Sequence, residues 1–210
     1  MRSLFQDDNA FTGLEAAIVL IAFIVVAAVF SYVVLGAGFF TTQKSQEVVH
    51  TGVQQASSSM EIIGNVYGIT SSTNGHLQYI KFTIGNTAGG TGLDVSKMVV
   101  TYTDASVRSP DVTYDDTNTG GALITQLKSK SSAMTGTGAN MGAWGIIEKI
   151  NANGDTLLEP GEQFVIGVSV PASSTKVNIP FTVNLQPSVG AVFALKKTVP
   201  AAINPVNILY

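Results

Sequence analysis

The sequence predicts an α+β protein, with one long N-terminal α-helix followed by an antiparallel, immunoglobulin-like β-sandwich. Three observations predict it. Residues 16–40 read AAIVLIAFIVVAAVFSYVVLGAGFF, without a charge and with only Ser31 and Tyr32 polar. Beyond residue 65 the apolar pattern changes to period two. Glycine occurs 21 times, and with abundant Ser, Thr and Asn it marks a turn-rich remainder. The chain divides accordingly into a leader at 1–10, a helix at 11–64 and a β domain at 65–210.

The leader, MRSLFQDDNA, is short and polar, with one basic residue, Arg2. A secretory signal is cleaved after its apolar run. Here the small residue Ala10 precedes the run and no A-x-A site follows Phe40, so the apolar helix is expected to stay in the mature protein. At ~1.5 Å per residue, residues 16–40 reach ~37 Å, enough for a ~30 Å hydrocarbon layer. A soluble core helix would carry a polar face, and this one has none. Ala22, Ala27, Ala28, Gly36 and Gly38 would let neighbouring helices approach closely.

The helix is expected to continue past Phe40. Val49, Val53, Ala56, Met60 and Ile63 follow a four-three spacing, opposite Lys44, Gln46, Glu47, Gln54, Gln55 and Ser57. Gly64 and Asn65 supply a helix stop, because both tolerate the left-handed conformation. From residue 66 onward, alternation predicts strands around Ile80, Phe82 and Ile84, around Met98, Val100 and Tyr102, and from Phe164 to Val170. Further strands are expected at 123–127, 145–150, 177–185 and 192–197, separated by Gly- and Asn-rich turns. Such spacing suits a β-sandwich. Residues 129–142 read as a long exposed loop.

Composition narrows function. A net charge of −3 provides no attraction for nucleic acid, and the absence of cysteine excludes disulfides and thiolate sites. His50 and His76 have no nucleophile motif near them, and neither G-x-S-x-G nor a phosphate-binding glycine loop occurs, so the chain is not read as an enzyme. There is no N-x-S/T acceptor.

Two strings carry candidate chemistry. In residues 151–162, NANGDTLLEPGE, oxygen-bearing side chains fall at loop positions 1, 3, 5, 9 and 12: Asn151, Asn153, Asp155, Glu159 and Glu162. That is the ligand spacing of a calcium loop, and a Ca²⁺ ion is the expected cofactor. Thr156 stands where such loops have Gly, and the flanks read as strands; a hydrogen-bonded turn is the other reading. The second string is Phe11-Thr-Gly-Leu-Glu15, at the doorstep of the apolar helix. If the chain is cut after Ala10, Phe11 becomes the N-terminus, and Glu15 can pair with the N-terminal amine of a neighbouring copy. A carboxylate in apolar surroundings needs such a partner. The alternative is a simple placement of Glu15 at the positive end of the helix dipole.

The order of polar leader, Phe11 to Glu15, apolar helix and β domain resembles the type IV pilin superfamily. The strings LDVSKMVVTYTD at 93–104, NGDTLLEPGEQF at 153–164 and PSVGAVFALKKTVP at 187–200 resemble archaeal flagellins, the archaellins, more closely. Two residues depart from the pattern: Ala10 stands where the family usually has Gly, and Glu15 is commoner in pilins. The resemblance implies cleavage between Ala10 and Phe11 by a prepilin-peptidase-like membrane protease, and a membrane-held subunit before assembly. It further implies a homopolymeric extracellular filament for swimming, with a helical core, assembled by a membrane platform and a motor ATPase. An adhesive pilin-like subunit and a monomeric membrane-anchored binding module are the alternative expectations.

Overall fold

A computed structural model describes residues 7–57, 60–71, 75–87, 90–134 and 142–210. The chain divides into two compact units, Met1–Thr51 and Gly52–Tyr210.

The first element is α1, Asp7–Ser57, a helix of 51 residues and roughly 76 Å. A helix satisfies its own backbone groups, which an apolar surround demands. The hydroxyls beyond the apolar stretch are satisfied in the same way: Thr41 and Thr42 donate to the carbonyls of Ala37 and Gly38 at 2.8 and 2.9 Å. The first charges after Glu15 form a pair, Lys44 Nζ to Glu47 Oε2 at 2.6 Å.

The expected helix over 11–64 is corrected at both ends. Asp7–Ala10 are already helical, and α1 stops at Ser57. Met60 and Ile63, read as the end of the helical stripe, belong to strand β1, Met60–Ile69. Gly64 has φ 79° and lies where the β1 register shifts between Ile63 and Tyr67. A helix stop and a β-bulge both use a residue with φ above zero, so the sequence signal was real and its context differed.

The β domain then runs β2 Tyr79–Asn86, β3 Leu93–Asp94, β4 Val99–Asp104, β5 Arg108–Tyr114, α2 Gly120–Ala133, β6 Ala143–Ile150, β7 Leu157–Leu158, β8 Gln163–Ser169, β9 Pro180–Gln186, β10 Phe193–Thr198 and β11 Val206–Leu209. Nine strands hydrogen-bond in the order β10-β9-β4-β5-β6-β8-β2-β1-β11, and β3 pairs with β7 separately. Among the described residues all pairings are antiparallel except β5 with β6, which meet at Thr113–Ala143 and Tyr114–Trp144. That short parallel join lets the two arms of the ladder face each other. One core results: Ile80, Phe82, Ile166 and Trp144 from one arm pack with Val100, Tyr102, Val183 and Leu185 from the other. At the far corner the Thr198 N–H donates to the Tyr210 carbonyl at 3.2 Å, drawing β10 and the end of the chain together.

Residues 123–127, expected as a strand, lie in α2. Leu123, Leu127 and Ser131 are fully buried at i, i+4 and i+8, a helical face that a short window hides. Of the expected loop at 129–142, residues up to Ala133 are helical and Met134 is buried, while 135–141 lie outside the described residues. α2 docks on the outer face of the sheet through glycines. A Cβ on Gly167 would sit 2.6 Å from Leu127 Cδ1, and one on Gly145 would sit 2.9 Å from Leu123 Cδ2. A side chain at either position would force these leucines to shift.

Candidate functional site

On α1 apolar side chains point in every direction. Ile18, Val19, Leu20 and Ile21 sweep once around the helix and are 59%, 65%, 62% and 61% exposed. Gly13–Val53 is long and apolar enough to cross a membrane. Beside Gly36 and Gly38 the space is open, with no atom within 4 Å of where a Cβ would stand. Glu15 is exposed at the start of this surface, one helical turn beyond Phe11. Ala10 and Phe11 lie within α1, and their side chains fall outside the described residues.

The loop at 151–162 is held by its own hydrogen bonds. Glu162 is buried, and its two carboxylate oxygens accept the backbone N–H groups of Asn153 and Glu159, each at 3.0 Å. Asn153 Oδ1 accepts from Asp155 N–H at 3.1 Å, and Asp155 Oδ1 from Leu157 N–H at 2.9 Å. Asn153 Nδ2 donates to Glu159 Oε2 at 3.4 Å. Asn151 adopts φ 53°, which turns the chain out of β6. The loop also has its own positive charge. Lys149 Nζ donates to the Gly154 carbonyl at 2.7 Å and to the Asp155 carbonyl, and lies 5.5 Å from the centre of the Phe164 ring. Among the described residues, no three His, Asp or Glu side chains converge to hold a metal. The five expected ligands sit in one loop; oxygens of Asn153, Asp155 and Glu162 accept backbone N–H groups, and Glu159 accepts from the Asn153 side chain. The pairing of β3 with β7 and the bond from Val95 N–H to the Thr156 carbonyl, 2.9 Å, fasten this loop to the turn before β4.

A third polar cluster was not anticipated. Asp104 ends β4; its Oδ1 accepts the N–H groups of Ser106 and Val107 at 2.6 and 2.7 Å. Its Oδ2 accepts the Tyr102 hydroxyl at 2.7 Å and the Ser174 hydroxyl. Burial alone would raise the Asp104 pKa, but these four donors outweigh it and hold the carboxyl below the usual range. Tyr102 is pushed upward, first by burial and then by the adjoining carboxylate. The cluster ties β4 to the loop after β8 and carries no nucleophile or base poised for chemistry.

The family model for archaeal-type flagellin matches residues 10–196. The chain belongs to the archaeal-type flagellin family. Probable flagellin 1 of Archaeoglobus fulgidus is 37% identical over 208 residues, covering 97% of this chain and 96% of the relative. Among solved structures, the archaeal flagellum of Methanospirillum hungatei matches with a TM-score of 0.66 and 29% identity, over 94% of this chain and 99% of that one. An archaeal flagellin from Methanocaldococcus jannaschii shares the fold at 19% identity and a TM-score of 0.51, over 72% of this chain and 96% of that one. As an archaeal flagellin, the protein is a structural subunit of the filament and not an enzyme. The resemblance seen in the sequence is thereby confirmed at the level of family, fold and role.

Proposed function

We propose that copies of this flagellin polymerise through α1, with residues 16–40 crossing the membrane before assembly and packing against sister helices afterwards. The observation that carries this reading is the exposure of apolar side chains on every face of α1 from residue 14 to residue 40. A polymer built from one repeated heterologous contact grows as an open helix. Lipid and a helix bundle are similarly apolar, so the preference for the bundle has to come from close packing at small residues and from pairing of Glu15. The leader at 1–10 is removed between Ala10 and Phe11 by a prepilin-peptidase-like protease, and the new amine of one subunit pairs with Glu15 of another. A membrane platform and a motor ATPase complete the route to a cell-surface filament that drives swimming. The loop at 151–162 keeps its candidate ligands Asn151, Asn153, Asp155, Glu159 and Glu162 for a Ca²⁺ ion, with Lys149 bonded to the carbonyls of Gly154 and Asp155 beside them.

N-terminal sequencing of filament sheared from cells tests the processing step, and the expected first residue is Phe11. Glu15→Ala should lower filament yield at least tenfold while the subunit still partitions with the membrane. Filament starting at Met1, or a normal yield from the Glu15 variant, would remove the pairing role.

A further inference from the structure

The charges of the β domain are sorted between its two ends. At one end are Ile150, the 151–162 loop, the start of β1 and the turn before β4, held together by the β3–β7 pairing and by Val95 and Thr156. This end exposes Glu61, Glu148, Asp155 and Glu159. Its two lysines are already engaged, Lys149 with the loop carbonyls and Lys97 with Asp94 at 3.0 Å. At the opposite end the last residue of β4 meets the loop after β8 through Asp104 and Ser174, and Thr198 meets Tyr210. This end carries Arg108, Lys176, Lys196 and Lys197. Its carboxylate, Asp104, is saturated by four donors. Among the described residues, no ion pair engages Lys176, Lys196 or Lys197.

The shapes differ in the same sense as the charges. The acidic end presents a loop stiffened by its own hydrogen bonds. The basic end presents an open groove of about 360 Å³, lined by Thr103, Phe181, Thr182, Lys196, Lys197 and Tyr210. Apolar residues stand exposed beside both, Ile150 with Val99 and Val192 at the acidic end, and Val177 with Tyr210 at the basic one. Apolar contacts framed by a predominance of one charge form the usual anatomy of a protein interface, and Lys196 and Lys197 outnumber Asp104, which also lines the groove.

We infer that the β domains of two copies meet end to end, with the 151–162 loop of one seated in the Lys196–Lys197–Tyr210 groove of the next. The occupant is a second copy because the two surfaces are complementary and lie at opposite ends of one domain. Such a contact cannot close on itself in a pair, and it repeats along an open polymer. The inference rests on polymerisation, but it assigns a contact separate from α1. The α1 core sets whether filament forms; the end-to-end contact sets how firmly it holds.

The test uses full-length filament sheared from cells, diluted to equilibrium, with free subunit measured in the supernatant after pelleting. Lys196→Glu with Lys197→Glu should raise free subunit about tenfold, the cost of roughly one charge contact reversed. Glu148→Lys with Glu159→Lys should do the same, and the fourfold swap should return to within about threefold of wild type. At ~1 M salt the screening length is ~3 Å, and the differences should collapse. Thermal unfolding of dissociated subunits, followed by circular dichroism, should be the same for all variants, which separates a lost contact from a lost fold. Reversals that leave free subunit unchanged, or a fourfold swap that multiplies the two losses, would overturn the end-to-end contact. Wild-type subunit that never pellets would instead count against polymerisation itself.

Discussion

Valine, isoleucine, leucine and phenylalanine dominate both halves of this chain, and the halves place them in opposite surroundings. Ile80, Phe82 and Ile84 in β2 are at most 1% exposed, whereas Ile24 and Phe30 in α1 are 58% and 69% exposed. Burying one such side chain contributes roughly 1.5–3 kcal/mol. The β domain collects that stabilisation within one copy of the chain. The helix leaves it uncollected in the single chain. The difference teaches where function resides: the β domain is a finished fold, and α1 is half of a contact.

The contrast is most easily broken by placing the same charge in both regions. Val25 in α1 and Val206 in β11 are similarly exposed in the single chain, 54% and 59%. If exposure alone decided the outcome, Val25→Asp and Val206→Asp would behave alike. A carboxylate near the middle of a membrane-spanning stretch costs ~3 kcal/mol, and more when packed unpaired between helices. Val25→Asp should therefore reduce filament by more than tenfold, as counted by electron microscopy of sheared material. Val206→Asp should leave filament yield intact and shift stability by no more than ~0.5 kcal/mol. Equal loss in both would mean that α1 is not special.

How far the sequence could be read follows from the same contrast. Residues 16–40 were legible because nothing local competes with an unbroken apolar run. The strands around Ile80 to Ile84 and Phe164 to Val170 were legible because one of their faces meets the core throughout, so burial writes itself as alternation. Residues 123–127 were misread because a window of five contains only one helical repeat, Leu123 to Leu127, and the glycines that receive them lie on β6 and β8. The boundary at 57–64 was misread because Val49, Val53, Ala56, Met60 and Ile63 keep helical spacing across a change of structure. β11 escaped notice because it is four residues long, on an edge, and gains its partner β1 from across the chain. In the 151–162 loop the ligand-like residue types were visible and their orientation was not. Whether a carboxylate faces an ion or a backbone N–H depends on turn geometry, and Lys149, from the preceding strand, has no place in the spacing rule.

That loop supplies a sharper test of how self-contained the β domain is. If Glu162 works as an acceptor for Asn153 and Glu159, then Glu162→Gln puts an amide donor against one of two backbone donors. The loss should be about 2 kcal/mol, read by denaturant unfolding. Chelator should leave the wild-type transition where it was. A wild-type transition lowered by chelator and restored by calcium, with the Gln variant indifferent, would mean that the carboxylate turns to a cation instead.

A smaller effect than at Glu162 is expected at Asp104, and its size depends on pH. Four donors hold its carboxyl below the usual range despite burial, so the folded protein binds this proton less readily than the unfolded chain. A depressed carboxyl stabilises the fold above its unfolded pKa of ~3.9, and that contribution disappears as pH falls through the folded value. Asp104→Asn keeps one carbonyl oxygen for Ser106 and Val107. It presents an N–H group to the hydroxyls of Tyr102 and Ser174, which can rotate to accept. The variant should thus lose only about 1 kcal/mol at pH 7. The gap should narrow below pH ~4, as the unfolded chain takes up this proton, and vanish as pH falls through the lower folded value. Unfolding curves of the two proteins from pH 7 down to pH ~2 measure that gap directly. A difference constant across the series would show that Asp104 acts by shape alone, and that its negative charge contributes nothing to tying β4 to the loop after β8.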